Sequence, residues 1–134
     1  MITFVDTSVL LAIDLGEDDA AAWVEALAGC RGDGILCIGE VVAAEFFAVV
    51  QDEVEFQQTL ADLGIEFRPS SLAASMVAGS TFRRYREQGG PREHLIPDFL
   101  VAAQAAVDGQ RLAAKDRGYL RRYFPQVELV SIAC

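Results

Sequence analysis

Short apolar runs alternate with longer stretches of helical pattern along this chain, and that alternation restricts its possible folds more than any other feature. Ile2–Val5 (ITFV), Ile35–Ile38 (ILCI), Ile65–Phe67, Arg111–Ala114 and Glu128–Ile132 read as strands. Asp6, Thr7 and Ser8 are all good helix N-cap types and open a leucine-rich helix directly after the first strand. Further helices are expected over Ala20–Leu27, closed by Gly29 and the Arg31–Gly34 turn, and over Glu40–Val50 and Glu53–Leu63. Ser71–Glu87 should be helical up to the Gln88-Gly89-Gly90-Pro91 loop, and Pro97 and Asp98 open a helix through Val107. Strands alternating with helices predict βαβ units, and so an α/β fold: a three-layer α/β/α sandwich on a mostly parallel central sheet.

With 134 residues, 52% of them hydrophobic, the chain suits one ordinary core, so a single domain over residues 1–134 is expected and a disordered chain is excluded. No uncharged apolar stretch approaches the roughly 18 residues that cross a bilayer, and Asp6 interrupts any signal-like run, so a cytoplasmic protein is expected with no membrane partner. Cys30, Cys37 and Cys134 are odd in number and lack a C-x-x-C spacing, which fits neither a disulfide framework nor a structural zinc site. A net charge of −9 disfavours a polyanionic ligand at first sight. The distribution reverses that reading. Residues 1–67 hold one basic residue against fourteen acids, whereas residues 68–134 hold ten against six, so the halves differ in sign and nucleic acid stays open as a partner.

In open α/β sheets the ligand crevice lies beyond the carboxyl ends of the strands. Asp6 follows the first strand, Asp116 follows Arg111–Ala114 after one lysine, and Asp98 stands in a first helical turn. Each also has a plain role available: N-cap for Asp6, macrodipole partner for Asp98, loop acid for Asp116. Glu45 interrupts the run VVAAEFFAVV, so it must face solvent or meet a cation, because an unpaired buried charge is very costly. Glu40 is its rival, but the two are about 140° apart on a helix, and Glu40 in a first turn is explained by the macrodipole. The lone His94 reads as a solvated loop residue. Arg83, Arg84, Arg86, Arg92 and Arg117, with Arg121 and Arg122, could hold an RNA backbone or serve as solvated helix charge.

Carboxylates that converge in one crevice need a cation among them, and an all-oxygen donor set selects Mg²⁺ or Mn²⁺, metals that act on phosphoryl centres. VDTSVLLA at 5–12, VVAAEFF at 41–47, LIPDFLVAAQA at 95–105 and LAAKDRGYLRRYFP at 112–125 together resemble the four acidic motifs of PIN-domain ribonucleases, in particular the small VapC-type toxins of toxin–antitoxin pairs. The resemblance runs through nearly the whole chain. It implies that Asp6, Glu45, Asp98 and Asp116 are both the catalytic set and the ligands of one or two Mg²⁺ or Mn²⁺ ions, with Ser8 as a polar helper. It further implies metal-dependent endoribonuclease activity on an RNA substrate, an antitoxin partner placing a basic side chain among the acids, and a homodimer as a common state of such domains. Gln104 stands where such chains often carry His, and Ala114 where Thr or Ser commonly precedes the fourth acid. Two other readings remain: a small Mg²⁺-dependent phosphatase or phospho-acceptor domain, which lacks a D-x-D motif at Asp6, and a non-catalytic RNA- or protein-binding module.

Overall fold

The computed structural model describes residues 1–132; Cys134, at the end of the expected domain, lies outside the described residues. Five strands form one sheet in the order β3-β2-β1-β4-β5: β1 (Ile2–Val5), β2 (Ile35–Ile38), β3 (Ile65–Phe67), β4 (Arg111–Ala113) and β5 (Glu128–Leu129). Every pairing is parallel, with Phe4 opposite both Cys37 and Leu112. Seven helices complete the described part of an α/β/α sandwich: α1 (Thr7–Asp14), α2 (Ala20–Asp33), α3 (Glu40–Val50), α4 (Glu53–Leu63), α5 (Leu72–Glu87), α6 (Ile96–Asp108) and α7 (Gly118–Tyr123). None of the described helices is long and apolar enough to cross a membrane.

The central strands are continuous apolar runs because helices cover both of their faces, leaving no wet face to carry alternating polar residues. Val5, Leu36, Ile38 and Leu112 are buried with Leu10, Phe46 and Phe99, and each such side chain contributes about 1.5–3 kcal/mol over its exposed state. In α6, Ala102, Ala103 and Ala105 are fully buried, and their small size lets this helix lie close against β1, β4 and α5. Local chemistry sets the ends of several helices. Asp52 caps the Glu55 amide at 2.9 Å, Ser71 caps the Ala74 amide at 3.1 Å, and Gly64 closes α4 at φ +71°, where a side chain would be strained.

Three sequence expectations change. α2 continues through Gly29 and Gly32 to Asp33, because Trp23, Leu27 and Cys30 anchor it in the core and outweigh the roughly 1 kcal/mol that a helical glycine costs. The last strand ends at Leu129 rather than Ile132. The Val130 amide still reaches the Leu112 carbonyl, but the Leu129 and Val130 carbonyls are taken by the Arg117 guanidinium at 3.5 and 2.9 Å. The six-residue α7, not anticipated, fits between Arg117 and the Phe124-Pro125 stop and buries Leu120 and Tyr123.

Candidate functional site

Strand order places the site. From β1 the chain moves to β2 on one side, whereas β4 lies on the other, so the order reverses between β1 and β4, and such a switch point opens a crevice at the carboxyl ends of the strands. Asp6 and Asp116 leave the sheet at this crevice. The Asp6 amide donates to the Ala113 carbonyl at 2.8 Å, which ties the residue to β4 by backbone alone.

Asp6 is held on its own helix as well. Its Oδ2 accepts from the Ser8 hydroxyl at 2.6 Å and the Ser8 amide at 3.3 Å, so it caps α1. The same Ser8 hydroxyl accepts the Lys115 amide at 3.2 Å, which links the loops after β1 and β4. Burial raises the Asp6 carboxyl above its ordinary pKa; the Ser8 hydrogen bonds oppose this without overcoming it, and the charge of Asp98 adds to the rise. Glu45 is exposed, so its interruption of an apolar run marks the wet side of α3. Its Oε1 accepts from the Thr7 hydroxyl at 2.6 Å, and α1 thereby aims a carboxylate that belongs to α3.

Asp98 accepts the Leu95 amide at 2.9 Å, so its helix-start role is real, yet its carboxylate also stands 3.8 Å from His94 Nδ1. His94 Nε2 lies 3.4 Å from Asp116. The expectation of a solvated histidine is therefore corrected: only 15% of the His94 side chain is exposed, and its ring stacks on Tyr119 at 4.0 Å between centroids. Packing against Tyr119 and three nearby carboxylates, those of Glu93, Asp98 and Asp116, hold it in place. Burial pushes the Tyr119 phenol far above its ordinary pKa, and Asp6, Asp98, Asp116 and Glu45 all push it further. One phenol thus feels all four of the acids named from sequence. Thr7, His94 and Tyr119 were not singled out beforehand as parts of the site; the four-residue spacing of His94 and Asp98 was the one available signal.

Four carboxylates, one of them desolvated and two held by the Ser8 and Thr7 hydroxyls, form an all-oxygen donor set of the kind a hard divalent cation takes, and His94 is the base that stands between Asp98 and Asp116. Lys115, which directly precedes Asp116, turns to Glu17 and Asp19 at 2.9 and 3.1 Å, and its hydrogen bond to Glu17 raises its own pKa. The spacing is wider than a closed cage, since no three His, Cys, Asp or Glu among the described residues are clustered tightly enough to form one. Asp6, Glu45, Asp98 and Asp116 are candidates for an open rim at this crevice.

The remaining named residues separate by what they touch. Arg117 was expected on the RNA-binding surface, but its guanidinium is spent on the carbonyls of Leu129, the last residue of β5, and Val130 just after it, and its Nε is buried without a partner among the described residues. Arg83 pairs with Glu87 at 2.8 Å, Arg86 donates to the Gly90 carbonyl at 2.7 Å, and Arg84 lies over the Tyr123 ring. All three are exposed, as is Arg92. Glu40 receives the Ser70 amide and hydroxyl; partial burial resists its ionisation, but these hydrogen bonds prevail and hold its pKa below the ordinary value. It fastens the loop after β3 and does not act on Tyr119. Gln104 is buried and donates to the Arg68 carbonyl at 2.8 Å, packed so closely on Gly39 that a side chain there would displace its amide. Its bond is with the end of β3, away from the Asp6 carboxylate. Ala114 is buried, and Ser8 supplies the nearby hydroxyl.

Known structures share this arrangement of strands and helices. A VapBC2 structure from Rickettsia felis, bound to a DNA fragment from their promoter, superposes with a TM-score of 0.76 at 19% identity, covering 99% of this chain and 100% of that one. A DNA-bound VapBC from Salmonella typhimurium gives 0.67 at 14% identity over 96% of each chain. FitAcB from Neisseria gonorrhoeae gives 0.66 at 19% identity over 98% and 97%. No curated protein matches significantly. The PIN domain family model matches residues 3–125, which contain all four acids, the Ser8 and Thr7 hydroxyls and His94, and the chain belongs to the PIN domain family.

Proposed function

We propose that this protein is a metal-dependent endoribonuclease, the toxin of a VapBC-type toxin–antitoxin pair, hydrolysing RNA phosphodiesters to leave 3′-hydroxyl and 5′-phosphate ends. The observation that carries the reading is that Asp98 and Asp116 face each other across His94, with Asp6 at the β1/β4 switch point, in a chain whose residues 3–125 match the PIN domain family. Pure binding has no use for such mutual repulsion. Bound Mg²⁺ or Mn²⁺ would supply Lewis acidity to the phosphate and a lowered pKa to the attacking water. Asp6 and Asp116 are the ligands of choice at the strand ends, with Asp98 and Glu45 completing the rim. Ser8 and Thr7 restrict the carboxylates of Asp6 and Glu45, so that orientation is set before substrate arrives. Similarity to VapBC structures supports an antitoxin as partner; in this reading the antitoxin contributes a basic side chain that neutralises the acids, and the free protein is a homodimer. A cytoplasmic location follows from that role.

Incubation of the purified protein with a broad RNA pool in Mg²⁺, in Mn²⁺ and in EDTA tests the reading. Cleavage is expected in either metal and absent in EDTA. Undiminished cleavage in EDTA overturns the metal mechanism, and phosphomonoester hydrolysis without RNA cleavage favours the phosphatase.

A further inference from the structure

Of the four acids, Asp116 has the least backbone support. Glu45 and Asp98 stand in helices and Asp6 is tied to Ala113, whereas Asp116 is exposed in the loop after β4, where among the described residues no backbone hydrogen bond holds it. Its neighbour Lys115 is held from two directions. The Lys115 amide donates to the Ser8 hydroxyl at 3.2 Å, the same hydroxyl that donates to Asp6 at 2.6 Å. The Lys115 ammonium reaches across to the loop between α1 and α2, where it meets Glu17 at 2.9 Å and Asp19 at 3.1 Å. Both anchors are themselves fixed: the Glu17 amide donates to the Ala12 carbonyl at 2.9 Å, and Asp19 accepts the indole N–H of the buried Trp23 at 3.1 Å. The Lys115 hydrogen bond also holds the Asp19 carboxyl below its ordinary pKa, so this pair is charged at neutral pH.

Resting on the metal-dependent nuclease reading, we infer that Lys115 is a positioning residue for Asp116: by bridging the loop after β4 to Glu17 and Asp19, it keeps Asp116 at the rim where a divalent cation is held. A lone exposed ion pair contributes little, because ordering two long side chains costs entropy. Here the Lys115 side chain is only 34% exposed, two carboxylates share its ammonium, and one of them is ordered by the Trp23 indole, so less freedom remains to be lost. Restraint at both the amide and the ammonium of Lys115 fixes the start of the loop from which Asp116 projects. Beyond Asp116 the Arg117 guanidinium is pinned to the Leu129 and Val130 carbonyls, so the acid stands between two anchored residues. A lysine next to an acidic rim would by charge alone repel a bound cation. Charge and position therefore act in opposite directions, and substitution of Lys115 separates them by sign.

Titration of the full chain with Mn²⁺, followed by the EPR signal of the free ion, tests this without requiring cleavage. Lys115→Met should weaken Mn²⁺ binding about threefold or more, although it removes a positive charge beside the rim, and Lys115→Arg, which keeps donors for both carboxylates, should bind within about twofold of the parent. In EDTA, hydrogen exchange at the residue 115 amide should quicken about fivefold or more in Lys115→Met, while the Val130 amide, held by the Leu112 carbonyl, exchanges as in the parent. Mn²⁺ binding by Lys115→Met that equals or exceeds the parent's leaves only the charge effect and overturns the inference. So does Lys115→Arg binding as weakly as Lys115→Met, or an unchanged exchange rate at residue 115. RNA cleavage by a parent whose Mn²⁺ affinity is indifferent to Lys115→Met overturns the positioning role alone, whereas the expected affinities and exchange rates in a protein that cleaves no RNA overturn the nuclease reading alone. A parent that binds no Mn²⁺ overturns both.

Discussion

Asp6 and Asp116 leave neighbouring parallel strands at the same crevice, yet they are held in opposite ways. Asp6 is half-buried, its amide tied to the Ala113 carbonyl and its carboxylate to Ser8, and burial raises its pKa. Asp116 is exposed in the loop after β4, 3.4 Å from His94, whose position depends in turn on stacking against Tyr119. The sheet places one acid, and side-chain packing places the other. A carboxylate fixed by backbone keeps its position when neighbours are substituted, so Asp6 should govern the chemistry and the Asp98–His94–Asp116 group should govern how the rim adapts.

The largest effect should come from neutralising the backbone-held acid. Asp6→Asn should lower metal-dependent RNA cleavage about a thousandfold, the loss expected when several kcal/mol of charge stabilisation at a metal site disappears. Its metal-free melting temperature should equal or exceed the parent's, because a desolvated charge is removed. Asp98→Asn should also lower cleavage, by less than Asp6→Asn, but leave apo stability unchanged, since an asparagine oxygen can still accept the Leu95 amide. Calorimetric melting beside a cleavage assay checks both. If Asp6→Asn is clearly less stable without metal, Asp6 is mainly a helix cap and the contrast collapses.

A second contrast separates arginines that bind backbone from arginines that face water. Arg117→Met should cost about 1–3 kcal/mol by urea unfolding, because the part-buried Leu129 and Val130 carbonyls lose a charged donor, while RNA affinity at low salt stays within about twofold. Charge reversal at Arg83, Arg84 and Arg86 together should instead weaken RNA binding and flatten its log–log salt dependence by up to about two units. An unchanged salt slope would make that cluster ordinary solvated surface.

The smallest effect is in pH, and it sharpens the first comparison. Because the folded-state pKa of Asp6 is raised, the folded protein binds this proton more readily than the unfolded chain does. Apo stability from this group should therefore grow as pH falls from neutral through the folded pKa toward the unfolded value near 4. Glu40 and Asp19 have lowered pKa values, so their contributions are present above the unfolded value and vanish as pH falls through the folded one. A melting temperature that rises slightly on acidification toward about pH 5 and then falls is expected, with the rise absent in Asp6→Asn. A monotonic fall in the parent would mean that Asp6 is not desolvated in solution.

Much of this was legible in the amino-acid order because local physics writes it there. Continuous apolar runs bounded by N-cap residues and glycine turns specify buried strands joined by helices, and strand-end acids specify a crevice. Asp6, Asp98 and Asp116 stand out as candidates because strand ends and first helical turns are local features, and Glu45 because a charge in an apolar helix needs a wet face. Where a local rule competed with packing, it failed: Gly29 did not end α2, since buried Leu27 and Cys30 carry the helix past it, and Arg117 did not stay on the surface, since the edge of β5 leaves carbonyls that need donors.

The sequence by itself determined which residue types could form the fold and the charge it would carry; tertiary structure alone decided which of them meet. The Thr7–Glu45 hydrogen bond joins positions 38 apart, and the Ser8–Lys115 bond positions 107 apart. His94 became part of the acidic rim only because Tyr119, on a helix the pattern did not announce, presents a ring for it to stack on. Side-chain period and capping act over a few residues and are readable one segment at a time, whereas a partner across the sheet depends on strand order, which short-range preference does not encode.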